Sequence, residues 1–127
     1  MAEGLIDTSL MVDALRGYAP AHQWMVDHSD TQIGITRSIY LEVIAGCRTK
    51  VEQQASIRAL VRFELIELTQ EDFEWATRQL IEYKLSHNVG VIDCLIAAPA
   101  ARLQLPLYTH NLKHFAPLLG ELARKPY

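Results

Sequence analysis

Short apolar runs alternate along the chain with longer stretches of helical spacing, and polar turns separate them. Leu5-Ile6 ends at Asp7, which predicts a short buried strand with the acid at its tip. Thr8 or Ser9 is placed to cap a helix carrying Leu10, Met11, Ala14 and Leu15, and Gly17 ends it. Pro20 starts a second short helix with Trp24 and Met25 as core residues. After the turn-like Ser29-Asp30, Ile33-Gly34-Ile35-Thr36 predicts the next strand. Ser38 is a candidate cap for the helix beyond it, with Ile39, Val43 and Ile44 inward, Glu42 in its early turns and Gly46 closing it.

Lys50 to Val61 is amphipathic, with Val51, Ala55, Ile57, Leu60 and Val61 expected to face inward. Phe63 to Leu68 suits a strand. Thr69 followed by Asp72 is an acidic variant of the capping box and opens a helix to about Asn88. That helix carries Phe73, Ala76, Leu80, Ile81 and Leu85 as its apolar positions. Past Gly90, Asp93 opens an apolar helix that reaches Leu105-Pro106. Pro99 inside it removes one hydrogen bond and predicts a kink. Leu107-Tyr108-Thr109 is a further strand, Asn111 to Phe115 a one-turn helix, and Ala123 to Tyr127 an edge strand or extended end.

The order β-α-α-β-α-α-β-α-α-β-α implies an α/β fold: one three-layer α/β/α domain over residues 1–127, its short, mainly parallel sheet covered on both faces. The length suits a single domain with a real core. No apolar run approaches membrane-spanning length, because Asp7, Glu42 and Asp93 interrupt the longest candidates. The start lacks the basic and apolar regions of a signal peptide, so a cytoplasmic protein with no membrane partner is expected. Cys47 and Cys94 form no C-x-x-C motif and read as free buried thiols.

A net charge of −3 argues against a passive nucleic-acid coat. The distribution is uneven. Arg37, Arg48, Arg58 and Arg62 dominate one stretch, and Glu64, Glu67, Glu71, Asp72, Glu74 and Glu82 the next. A basic face meeting a phosphate backbone and two merely solvated faces are both compatible with that pattern.

The acids carry the candidate chemistry. Asp7, Glu42 and Asp93 each sit against apolar neighbours, where an ionised carboxylate is costly to desolvate without a partner. Hard oxygen ligands around Mg²⁺ or Mn²⁺ would solve this for all three. Asn111 can add an amide oxygen, and Ser9 and Thr109 are placed to hydrogen-bond a carboxylate or a water. Taken singly, Asp7 and Asp93 could equally be helix caps and Glu42 an exposed helix residue. Two other readings are weaker. His110 and His114 are spaced for zinc but lack a third ligand. Aspartyl phosphoryl transfer wants a second acid two residues after Asp7, where this chain has Ser9.

Leu5-Ile6-Asp7-Thr8-Ser9, Leu41-Glu42-Val43 with Gly46, Asp93-Cys94-Leu95-Ile96-Ala97-Ala98, and Thr109-His110-Asn111 to His114-Phe115 occur in an order that resembles the PIN domain. Within that family the chain is similar to the VapC-type toxins of bacterial toxin–antitoxin pairs. The resemblance covers nearly the whole length. It implies a Mg²⁺- or Mn²⁺-dependent endoribonuclease with acidic positions at Asp7, Glu42, Asp93 and Asn111. It also implies a homodimer and a small antitoxin that blocks the site. The chain departs from the pattern at Ile39, where the family often has Thr, at Pro99, and at Asn111 in place of Asp, which favours a single metal ion. A PIN-like module that binds RNA or protein with weak or no catalysis is the alternative, and retention of three carboxylates argues for catalysis.

Overall fold

The two innermost strands have no polar face. Gly4, Leu5 and Ile6, and then Ile33, Gly34, Ile35 and Thr36, are all buried. Strands of that kind need cover on both sides, which parallel α/β sheets provide. A computed structural model describes residues 1–127 and has this architecture. In chain order the elements are β1 (Gly4–Ile6), α1 (Thr8–Leu15), α2 (Ala19–Asp27), β2 (Ile33–Thr36), α3 (Arg37–Ala45), α4 (Lys50–Leu60) and β3 (Glu64–Ile66). Then come α5 (Gln70–His87), α6 (Val91–Leu103), β4 (Leu107–Tyr108), α7 (Leu112–Leu119), a 3₁₀ turn at Gly120–Leu122 and β5 (Ala123–Arg124).

The sheet order is β3-β2-β1-β4-β5, and every pairing is parallel. Right-handed crossovers then divide the helices. The steps β1→β2→β3 move one way across the sheet and put α1 to α4 on one face. The steps β3→β4→β5 move the other way and put α5 to α7 on the opposite face. Most helix contacts follow that division, α1 with α2 and α3, α3 with α4, and α5, α6 and α7 with one another, while α3 also meets α6 across it. Chain direction thus reverses between β1 and β4, at the centre of the sheet. Gly34 keeps β2 close to its neighbours. A Cβ there would come within 2.9 Å of Leu5, 3.0 Å of Ile66 and 3.1 Å of Ala2.

One ion pair sets the rotation of α5. Asp72 is buried, accepts from the Thr69 backbone N–H in a capping box, and receives both Nε (2.9 Å) and Nη2 (3.1 Å) of Arg102 on α6. With Asp72 and Ala76 turned inward at four-residue spacing, Phe73 falls about 100° away and Ile81 and Leu85 fall on the far side. Those three of the helix's apolar positions are exposed, Leu85 almost fully. Trp75, Leu80 and Tyr83 pack on the core instead. The expected face of α4 is corrected. Gln53, Ser56, Ile57 and Leu60 form the inner line, and Val51, Ala55 and Val61 are exposed, because α4 lies against α3 at the domain edge.

The caps differ as well. Asp7, not Thr8 or Ser9, caps α1, and Thr36, not Ser38, is the cap position of α3. Helix α6 runs on through Pro99 without a break, with Pro99 buried. Helix α7 continues a turn past Phe115, to Leu119, with Pro117 inside it. The C-terminal segment supplies the expected edge strand, β5, and Tyr127 donates its hydroxyl to Asp13 at 2.9 Å.

Candidate active site

In an open parallel sheet the carboxyl ends of strands flanking the reversal point form a crevice suited to ligands. Here Asp7 follows β1 and Thr109 follows β4, so the chain delivers one carboxylate and one hydroxyl to that crevice. Asp7 is buried, and the protein builds three hydrogen bonds around its carboxylate. Oδ1 accepts from Ser9 Oγ (2.8 Å) and the Leu10 backbone N–H (3.1 Å), and Oδ2 accepts from Thr109 Oγ1 (2.5 Å). Asp7 is therefore a helix cap and a crevice carboxylate at once.

Glu42 reaches the same place from the second turn of α3, where its Oε1 accepts from Thr8 Oγ1 at 2.7 Å. Its side chain is exposed, so the desolvation argument made from its apolar neighbours does not apply to it. Asp93 occupies the first turn of α6. Its Oδ2 accepts from the Gly90 backbone N–H (3.0 Å) and faces His114 Nδ1 (3.0 Å). Asn111 precedes α7, with its backbone N–H donating to Thr109 Oγ1 at 2.9 Å.

Asp7, Glu42, Asp93 and Asn111 line one cavity of about 200 Å³, with Thr8 and Ser9 beside them and Ile92, Ile96 and Phe115 as its apolar wall. Neither Asp7 nor Glu42 takes part in any ion pair, and the partner of Asp93 is a histidine. Carboxylates gathered without a fixed cation are a donor set for a hard divalent ion. No trio of His, Cys, Asp and Glu side chains stands close enough to form a ready cage. The donor set instead fits an ion such as Mg²⁺, which keeps several waters and takes only one or two carboxylates directly.

Two residues at this site escape a reading by motif. Thr8, a candidate cap in the sequence, holds Glu42 instead. His114 stands three residues after Asn111, and that spacing, rather than its spacing to His110, is the signal that places it. The histidines do not converge on zinc. Helix α7 begins at Leu112, so helical spacing does not extend back to His110, whose ring packs on Tyr127 at 4.4 Å.

The four arginines do not share one position relative to the acids. Arg37 follows β2 and lines a groove beside Glu42, where it pairs with Glu67. Arg62 lines a separate cavity with Ile33, at the opposite end of β2. Arg48 and Arg58 are exposed at the two ends of the α4 region.

Cys94 is buried beside Asp93, and burial together with that negative charge pushes its thiol up to about 11. Its thiolate fraction near pH 8 is thus about 100-fold below that of an ordinary cysteine. Ellman's reagent should leave Cys94 unmodified in the folded protein at pH 8, with reaction rising as the pH approaches 11 or on unfolding. Mass mapping of the modified residue checks this, and rapid native labelling of Cys94 would contradict it.

Residues 4–116 match the PIN domain. Ribonuclease VapC10 of Mycobacterium tuberculosis is 33% identical over 120 residues, covering 93% of this chain and 89% of that protein. Ribonuclease VapC19 of the same organism is 31% identical over 127 residues, covering 97% and 98%. Among solved structures, a toxin–antitoxin complex from Klebsiella pneumoniae superposes with a TM-score of 0.82 at 28% identity over 98% of both chains. VapBC2 from Rickettsia felis, bound to a DNA fragment from its promoter, has the same fold, with a TM-score of 0.75 at 20% identity over 90% of this chain and 91% of that one. An Asp-capped first helix, a second and a third acid from α3 and α6, and an amide after β4, on a chain matched nearly end to end, place this protein in the PIN-domain family, within its VapC-like branch.

Proposed function

We propose that the protein is a metal-dependent endoribonuclease, the toxin of a VapBC-like pair, with Asp7, Glu42 and Asp93 holding Mg²⁺ or Mn²⁺ and Asn111 completing the polar lining. The observation that carries this reading is the cavity at the sheet's reversal point, lined by three carboxylates of which two have no cationic partner. Such a site repels a phosphate backbone unless a cation enters it. A bound divalent ion supplies activation of water and neutralises charge on the scissile phosphate. The protein's own part is positional. Ser9, the Leu10 N–H and Thr109 fix Asp7, Thr8 restrains Glu42 at the rim, and the neutral Asn111 amide lowers the charge of the set, in keeping with one ion rather than two.

The cavity is small and open, large enough for a phosphate group but below the roughly 300 Å³ at which small-molecule pockets begin. An extended strand crossing the mouth fits it better than a free nucleotide. Arg37 is the arginine beside that mouth. Its pair with Glu67 is solvent-exposed and therefore weak, so phosphate can displace the glutamate.

Partner surfaces support the rest of the reading. A cavity of about 530 Å³ between α1, α2 and α4 is lined by Met11, Leu15, Met25 and Phe63 and suits an apolar antitoxin segment. Because α1 begins at Asp7, a segment lying along it could carry a basic side chain to the acids. The exposed Leu41, Phe73, Ile81 and Leu85 offer apolar area for a second copy in a homodimer. No helix is long and apolar enough to cross a membrane.

Purified wild type and Asp93→Asn, incubated with total RNA in Mg²⁺, Mn²⁺ or chelator, test the reaction. Discrete cuts are expected only for the wild type and only with metal. Absence of cleavage by folded, RNA-binding wild type would instead indicate a binding module. Arg37→Ala should flatten the slope of log K against log[salt] for single-stranded RNA by about 0.7, whereas Arg62→Ala should leave it unchanged. Equal slopes for wild type and Arg37→Ala would remove the role given to Arg37.

A further inference from the structure

His114 lies behind the acid cavity and does not line it. Its Nδ1 is 3.0 Å from Asp93 Oδ2 and 3.0 Å from the Asn111 side-chain nitrogen. A ring nitrogen facing a carboxylate carries the proton and donates. An amide nitrogen, itself a donor, has nothing to give that N–H. Turning the amide by half a rotation puts its oxygen there and lets one N–H serve both residues.

The consequence reaches across the site. Asn111 donates its backbone N–H to Thr109 Oγ1, and Thr109 donates to Asp7 Oδ2. A continuous chain of contacts therefore runs from Asp7 through Thr109, Asn111 and His114 to Asp93. His114 closes it between two acids carried by different layers of the fold. The bonds to Asp93 are also one-sided. Gly90 N–H and His114 both address Oδ2, and no protein donor reaches Oδ1. Since no unpartnered side-chain oxygen is buried, Oδ1 is open to solvent.

We propose that His114 is a positioning residue that orients Asp93 and Asn111 relative to Asp7, leaving Asp93 Oδ1 free, and so sets the affinity of the cavity for its divalent cation. The inference rests on the metal reading above. Hydrogen-bond donors behind ligating carboxylates carry that role in metal sites generally, and their loss costs about 10–100-fold in affinity.

The test compares wild type, His114→Leu and His114→Asn in a Mn²⁺ titration followed by the electron paramagnetic resonance of free Mn²⁺, with thermal unfolding in parallel. Leucine keeps the bulk and removes the N–H, and asparagine restores an N–H at the Nδ1 position. We expect His114→Leu to bind Mn²⁺ about 10–100-fold more weakly and His114→Asn to recover most of that loss. The metal-free unfolding midpoints should stay together. Equal Mn²⁺ affinities in wild type and His114→Leu would overturn the role of His114 alone. Equal weakening in both variants would show that some other property of the imidazole, not the N–H, matters, and would overturn it too. A wild type that binds no Mn²⁺ would be a different result, removing the metal reading itself.

Discussion

A buried carboxylate at the end of the central strand is the constraint on which the rest of this structure depends. Asp7 can be buried there because Ser9, the Leu10 N–H and Thr109 surround it with donors. Each donor demands something of the fold. The Leu10 N–H requires that a helix start at once after β1. Thr109 requires that β4 pair beside β1 in the register Ile6 to Tyr108. The sheet order follows, since β2 occupies the other flank of β1 and the chain must return across the opposite face to deliver β4.

Hydrogen bonds neutralise none of the charge they stabilise. Asp7, Glu42 and Asp93 approach one cavity, and no lysine or arginine pairs with any of them. Elsewhere the protein treats a buried acid differently. Asp72 is as deeply buried as Asp7, yet it receives the fork of Arg102 as well as a capping N–H. The contrast separates an acid that locks two helices together from acids left without a lysine or arginine partner. Arg102 is held so firmly by this pairing that its guanidinium binds its proton more tightly than an ordinary arginine.

Much of this was legible in the sequence where a local rule applied. Leu5-Ile6-Asp7 announced a strand tip, Ile33 to Thr36 a buried strand, and Thr69 with Asp72 a capping box, because each depends on neighbours within four residues. What depended on distant partners was not legible. The rotation of α5 follows from Arg102, thirty residues after Asp72, and a list of apolar positions could not tell that Phe73, Ile81 and Leu85 face solvent. Pro99 lies inside a helix that carries on through it, packed among buried neighbours. At the site, the four residues singled out by pattern meet at one cavity, and Ser9 and Thr109, placed from the sequence to bond a carboxylate, both bond to Asp7. The roles of Thr8 and His114 were not assigned, because Thr8 meets Glu42 across 34 positions and His114 meets Asp93 across 21.

The central claim is that these acids are gathered for a divalent cation. Anomalous diffraction from crystals of the wild type soaked in Mn²⁺ tests it most directly. The account predicts a manganese peak inside the cavity, within coordination distance of Asp93 or Asp7, with Glu42 and Asn111 close enough to bind through water. Peaks only at surface carboxylates, with the Asp7, Glu42 and Asp93 side chains unmoved and the cavity holding water alone, would contradict it.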